Sequence, residues 1–393
     1  MAALEGIRVL DLTTVIFGPY ASQVLADYGA EVIKLESFTG DSTRYTGPAQ
    51  EQGMSAMFLS VNRNKKSIAV DLKTPEGIAI IKDLLKTCDV FMHNIRPQKI
   101  AKIGLSYEDV KALNPELIYA GLYGFGSDGP YAGRPAYDDI IQGLSGVPDL
   151  ILKQSGTPRY MPTIAADKSC ALIAAHAILA ALFQRTRTQQ GQFIEIPMFE
   201  SMVSFTLLEH YYDQHLVDME PLKQGYARVL SEHRKPYTTS DGYLCVMPYT
   251  DKHWQTLFKA TGNPDLADDP RFSNIAERTR HINELYDIVG KLMLTRTTQE
   301  WLAFFEEHDI PNAAMNTLAS IGEDPHLQAV GFFQDIQDSS GHYRFLNNPV
   351  YMEQSKVDVQ MPPRLGEHTQ EILQGLGISS ETLNSLYSNN IIK

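Results

Sequence analysis

The stretch Ile7-Arg8-Val9-Leu10-Asp11-Leu12, followed after a loop by Pro19-Tyr20-Ala21-Ser22-Gln23-Val24-Leu25-Ala26-Asp27-Tyr28-Gly29 and then by Glu31-Val32-Ile33-Lys34-Leu35-Glu36, decides the fold class. The two hexamers are short, mostly apolar runs with β-branched residues, and they read as buried strands. Between them, Val15 to Gly18 reads as a loop and Pro19 to Gly29 as a helix, with proline in the first turn and glycine as the C-cap. A strand–loop–helix–strand unit predicts a parallel α/β sheet, whose ligands sit beyond the carboxyl ends of the strands. The loop carries no G-x-G-x-x-G, so the fingerprint of a dinucleotide site is absent.

The same pattern recurs outward from this unit. Lys66 to Leu72 is strand-like, Thr74-Pro75-Glu76 caps a helix running to about Lys86, and Cys88 to His93 is a strand ending at Asn94-Ile95-Arg96-Pro97. Ser106 opens a short helix, and Leu117 to Leu122 is a further strand. Gly121 to Gly133 holds five glycines and a proline, the mark of a flexible connection beside a ligand. A helix ends near Gly146, Gln192 to Ile196 is a strand, and Phe199 to Leu216 an aromatic-rich helix. The apolar periodicity lapses around Gln224 to His233, which marks a domain boundary. Beyond it, the strand Gly242 to Met247 and helices at Thr250 to Ala260, Ala276 to Leu294 and Thr297 to Glu307 describe a smaller α/β domain; the last helix opens with the capping box Thr297-x-x-Glu300. A β-like passage near Phe332 to Val350 and a short final helix complete the chain.

At 393 residues the chain has room for two domains, and 43% hydrophobic with 21% charged residues is an ordinary globular composition. No apolar run approaches the roughly 20 residues of a membrane span, and the amino-terminal residues run into a strand pattern rather than a signal peptide. Cys88, Cys170 and Cys245 are scattered without metal-ligand spacing, so the expectation is a reducing cytoplasm with no disulfide and no metal. A net charge of −13 argues against nucleic acid and anionic membrane as partners. Between Asn62 and Lys102, however, nine basic residues face four acidic ones. Several stand at strand ends and loops, where a phosphate-bearing ligand would sit.

Met161-Pro162-Thr163-Ile164-Ala165-Ala166-Asp167-Lys168-Ser169-Cys170-Ala171 sets one carboxylate among small residues, just ahead of an apolar helix from Ala171 to Phe183. By pattern alone Asp167 reads as an N-cap, the commonest use of aspartate at such a place.

LEGIRVLDL, GPYASQVLADYGAEVIKLE, GDSTR, NRNKKSIAVDLKTPEG, the Asn94-Ile95-Arg96-Pro97 segment, RPAYD, the AAD ending at Asp167 and PPRLGEHT occur in this order. In these motifs the chain resembles the family III (CaiB/BaiF-type) CoA-transferases, which include formyl-CoA:oxalate and carnitine CoA-transferases and are related to the α-methylacyl-CoA racemases. The resemblance spans essentially the whole length. It implies a Rossmann-like large domain of residues 1–222 completed by residues 326–393, a smaller α/β domain of residues 223–325, and two subunits threaded through each other as an interlocked homodimer.

It also implies chemistry: transfer of CoA from an acyl-CoA donor to a free carboxylic acid, with CoA as substrate and product rather than a resident cofactor. Asp167 matches the family's catalytic aspartate. A carboxylate attacks a thioester to give a mixed anhydride and CoA thiolate, which then captures the aspartyl carbonyl as an aspartyl-CoA thioester; the relay divides one exchange into easier steps. A helix N-terminus just after Asp167 would supply N–H donors to developing negative charge. The positions matching family contacts to CoA are Val15 (through its backbone), Lys73, Asn94, Ile95, Arg96, Lys102 and Arg134, the basic ones suiting phosphates.

Tyr137 and Asp138 resemble the transferases' Tyr-Glu pair. Racemases place a histidine at the position of Tyr137, as a second acid/base for the α-proton, and tyrosine, with its pKa near 10, is a poor substitute. The reading is therefore a CoA-transferase, with an acyl-CoA racemase or epimerase and a non-catalytic acyl-CoA binding protein as alternatives. Ile16 and Ser37 replace a glutamine and an arginine of formyl-CoA transferase, and that enzyme's glycine run has no counterpart between Gly225 and Gly262. Formyl-CoA and oxalate are thereby disfavoured. His233, Arg234 and Tyr237 could face an acceptor carboxylate, or serve only surface or interface roles.

Overall fold

The computed structural model describes residues 1–220 and 225–393. The boundary expected between residues 222 and 223 therefore lies outside the described residues. The chain divides into two compact units, one made of Met1–Ser145, Pro162–Phe205 and His326–Lys393, the other of Gly146–Met161 and Thr206–Pro325.

The first unit is built on six parallel strands, β1 (Arg8–Leu12), β2 (Glu31–Glu36), β3 (Lys65–Ala69), β4 (Val90–His93), β5 (Ile118–Tyr123) and β6 (Gln192–Pro197), in the order β3-β2-β1-β4-β5-β6. Leu10 stands opposite Ile33 on one side and Phe91 on the other, so β1 lies in the middle of the sheet. The sheet grows outward from β1 in one direction, then returns to add β4 to β6 on the other side. This order places the topological switch point between β1 and β4, where such sheets open a crevice beyond the strand ends. The central strands are buried on both faces, as a parallel sheet covered by helices requires. Leu10, Ile33, Ile68, Phe91 and Tyr119 form a continuous core with Ile81 and Leu84 of the Pro75–Leu85 helix. The C-terminal segment belongs to the same core through Ile372, Leu373, Leu383 and Ile392.

Several elements differ from the sequence expectation for identifiable reasons. The helix expected from Ala171 to Phe183 runs Ala165–Thr188, because its alanines propagate helix in both directions until Gln189 turns left-handed at φ 55°. At 24 residues it is long and apolar enough to cross a membrane by composition, which corrects the expectation that no such run exists. Half of its apolar window is buried within the fold, with Cys170, Ala171, Ala174 and Ile178 packed in the core. The aromatic helix stops at His210, short of Leu216. The single helix expected over Ala276 to Leu294 breaks at His281 into Ile275–Arg280 and Ile282–Met293. A second C-terminal helix, Ser380–Ser388, follows the expected one.

The second unit carries a three-stranded antiparallel sheet, β7 (Tyr237–Thr238), β8 (Tyr243–Val246) and β9 (Asn312–Ala314). Its helices pack Trp254, Phe258, Leu285, Val289, Trp301 and Phe305 into one core, and the indole of Trp301 donates to the Met293 carbonyl at 2.9 Å. The Thr297 capping box is formed as the sequence predicts. Tyr237 is buried in this core, Arg234 is exposed and His233 half-buried.

Candidate active site

The loop after β1 carries Thr14 and Val15, and the loop after β4 carries Asn94 and Arg96, so the switch point brings the four together. The chain after β5 adds Tyr123 to Phe125, and the segment Ala132 to Tyr137 closes the far wall. These residues bound a cleft of ≈ 400 Å³. Asn94 ties its two sides, accepting from the Thr14 N–H at 3.1 Å and donating to the Thr14 carbonyl at 2.8 Å. Val15 sits at φ 72°, a left-handed conformation that a β-branched residue adopts only under constraint. Its N–H donates to both carboxylate oxygens of Asp41, each at 3.2 Å. Its carbonyl receives no helical bond from Pro19, four residues on, because proline has no N–H. Gly18 is required by close approach: a Cβ there would lie 2.2 Å from Thr13 Cβ.

Arg96 and Arg134 bring positive charge to the cleft, and among the described residues neither is ion-paired. The Arg134 guanidinium lies over the Tyr131 ring at 4.4 Å, and Tyr131 meets Phe125 edge-on at 5.4 Å. The glycine-rich connection is pinned rather than free: the Gly126 N–H donates to Glu200 at 3.0 Å and the Ser127 N–H to Glu195 at 2.8 Å. Two guanidiniums beside aromatic rings suit an anionic, phosphate-bearing ligand.

Of the sequence-derived positions, Val15, Asn94, Arg96, Arg134 and Tyr137 line this cleft, whereas Lys73, Ile95, Lys102, Asp138 and Asp167 do not. Lys73 is exposed in the turn after β3, Lys102 is exposed at the end of the Pro97–Lys102 helix, and Ile95 packs against the core. Much of the basic segment is committed elsewhere. Arg63 pairs with Asp27, Lys65 with Asp11, Lys66 with Glu31 and Glu371, and Lys86 with Asp83.

Asp138 and Asp167 are clasped. Asp138 opens the Asp138–Leu144 helix directly after the cleft residue Tyr137, and its carboxylate is buried. Its Oδ1 accepts the Asp167 N–H at 3.0 Å and its Oδ2 accepts Gln142 Nε2 at 2.5 Å. Asp167 is thus the third residue of the long helix, not its N-cap, which is Ile164. The expected reserve of free N–H donors after it is reduced accordingly. The Asp167 N–H goes to Asp138, the Ala165 N–H to the Thr163 carbonyl at 2.7 Å, and the Lys168 N–H to the Ile164 carbonyl at 3.2 Å.

The Asp167 carboxyl is half-buried, and burial together with the negative Asp138 beside it pushes its pKa up to about 7. Among the described residues no cation offsets this rise at Asp167. Tyr137 stands 71% exposed at the cleft wall, which excludes a core aromatic role within this chain. His93 is the opposite case: buried, bonded to the Tyr119 hydroxyl at 2.8 Å, and held neutral because burial lowers its pKa to about 3.

Sequence reasoning missed Tyr123, Phe125 and Ser127 on the cleft wall, and Lys34 and Asp41 behind it. For Asp41 a signal existed, because it is the acid of the GDSTR motif.

Comparison with known proteins follows the same lines. The family described as CoA-transferase family III matches residues 4–369. The mouse succinyl-CoA:glutarate CoA-transferase is 34% identical over 95% of this chain and 86% of its own length. The succinate–glutarate CoA-transferase of Agrobacterium fabrum is 34% identical over 95% of both. A crystal structure of a CaiB/BaiF family protein from Brucella suis superposes with a TM-score of 0.80 at 31% identity, covering 95% of this chain and 99% of that one.

Proposed function

We propose, for a chain that belongs to CoA-transferase family III, that the cleft at the β1/β4 switch point binds coenzyme A and that Asp167 is the nucleophile passing it between carboxylic acids. The observation that carries this reading is Asp167 itself: its half-buried carboxyl has a pKa raised by burial and by Asp138, and its N–H donates to Asp138, the residue that follows the cleft residue Tyr137. When ionised, such a group is under-solvated and more basic than an ordinary carboxylate, and acylation removes its charge. Asp167 attacks the thioester carbonyl, the C–S bond breaks, and CoA leaves as thiolate. The thiolate then attacks the aspartyl carbonyl of the anhydride, freeing the first acid and forming an aspartyl-CoA thioester. The incoming acid attacks that thioester, the thiolate leaves and captures the new acyl group, and the Asp167 carboxylate is regenerated.

Arg96 and Arg134 hold the phosphates by charge and Val15 and Asn94 position the chain of the coenzyme. The donor is succinyl-CoA and the acceptor a short dicarboxylic acid, on the names of the relatives. The enzyme works as an interlocked homodimer in a reducing cytoplasm. Leu172 and Phe183 on the long helix are 49% and 60% exposed, an apolar surface that a second copy would cover.

The test is an acid panel against succinyl-CoA and acetyl-CoA, with α-deuterium exchange followed in parallel. The proposal expects a new acyl-CoA and free succinate in equal amounts, with glutarate among the best acceptors. Deuterium uptake without CoA exchange would replace it with the racemase reading, and tight CoA binding with neither reaction would replace it with the binding-protein reading.

A further inference from the structure

The loop Thr13-Thr14-Val15 is held from behind by the side chains of Asp11, Lys34 and Asp41, none of which lines the cleft. The Thr13 N–H donates to Asp11 at 2.9 Å, and the Thr13 carbonyl accepts from Lys34 Nζ at 3.0 Å. The Val15 N–H is spent on Asp41. Lys34 and Asp41 are themselves paired at 3.0 Å, and both side chains are wholly buried. Asp41 is fixed in turn by the Thr43 N–H at 2.9 Å, while its own N–H donates to Glu36 at 3.0 Å, and Glu36 is clamped by Arg44. The strained turn at Val15 thus has a built anchor, and strain kept in place by over-determined surroundings points to a use for it. Thr14 and Val15 line the cleft; Lys34 and Asp41 do not.

We propose that Lys34 and Asp41 are positioning residues for coenzyme A: their buried pair fixes the left-handed turn at Val15, so that the cleft edge is preformed before ligand arrives. This rests on the reading of the cleft as the coenzyme A site. A preformed edge saves the ordering cost that a mobile loop would incur on binding. The pair therefore acts on affinity rather than on the transfer step, although neither residue touches the ligand.

The test is calorimetric titration of the full chain with CoA, beside kcat at saturating acyl-CoA. Asp41→Ala removes the acceptor of the Val15 N–H, and the expected result is a Kd raised roughly tenfold or more, with kcat falling by a smaller factor. Glycine adopts φ > 0 without steric cost, so adding Val15→Gly to Asp41→Ala should recover a large part of the lost affinity. A merely structural role would not be rescued at residue 15. If Asp41→Ala does not fold, Lys34→Met with Asp41→Leu removes both charges together and is expected to show the same loss. An unchanged Kd in a folded variant, failure of Val15→Gly to restore it, or failure of every variant to fold overturns the proposal. If the wild-type chain itself gives no heat with CoA, the reading of the cleft falls first.

Discussion

Two groups of buried carboxylates stand in the first unit, and they are treated in opposite ways. Behind β1, Asp11, Glu36 and Asp41 meet Lys34, Arg44 and Lys65, each acid having a cation within 3.2 Å. Burial pushes these acids up, but for Asp11 the charges of Lys65 and Lys34 with the Ser22 and Thr13 hydrogen bonds, and for Asp41 the charge of Lys34 with the Lys34 and Thr43 hydrogen bonds, together outweigh it, so both lie below the ordinary aspartate value. Asp167, by contrast, has burial and Asp138 acting in the same direction, and among the described residues no cation opposes them. The difference separates architecture from chemistry. Paired charges fix a loop; the carboxyl without a counter-ion among the described residues is the one proposed as the nucleophile.

Removing the unpaired acid should have the largest effect. Asp167→Asn is expected to lower kcat by at least about a thousandfold, the scale on which loss of a nucleophile is felt, while the protein stays folded; turnover with succinyl-CoA and glutarate, with circular dichroism alongside, checks this. Breaking the paired group should instead damage the fold. Lys34→Met leaves Asp41 buried without its cation and is expected to cost about 3–5 kcal/mol of stability, read by urea denaturation, and adding Asp41→Leu should return part of it.

Smaller effects sharpen the contrast. Asp138→Asn keeps an acceptor for the Asp167 N–H but removes the neighbouring charge, so the acid limb of the kcat/KM profile should move from about 7 toward the usual aspartate range. The smallest effect is on stability. Because the Asp167 pKa is raised on folding, the native state holds a proton that the unfolded chain loses first, so stability falls as pH rises from about 4 to about 7. Asp167→Asn removes that loss, and its melting temperature should exceed the wild type's by more at pH 8 than at pH 5.

The sheet was legible from the sequence because its strands are short apolar runs between turn residues, and β2 agrees to the residue. Helix ends were less legible. His281 breaks a continuous amphipathic pattern, and the alanines before Ala171 carry no period that marks where the long helix begins. In the site, Asp167 and Tyr137 came from a family likeness rather than periodicity. The contact between Asp138 and Asp167 joins residues 29 apart and depends on how two helix starts meet. The basic segment misled in part, since residue counts cannot tell a phosphate-binding lysine from Lys65, whose partner Asp11 is 54 residues away. The Val15 turn was invisible for the same reason, its anchors being Asp41 and, through Thr13, Lys34.

The most direct measurement of the central claim is covalent trapping. The protein is incubated with succinyl-CoA and hydroxylamine, digested, and the peptide spanning Met161 to Ala171 is weighed. A hydroxamate on Asp167, dependent on the acyl-CoA and absent from Asp167→Asn, is the predicted result. Sustained CoA exchange with an unmodified Asp167, or a hydroxamate on another carboxylate, would contradict it.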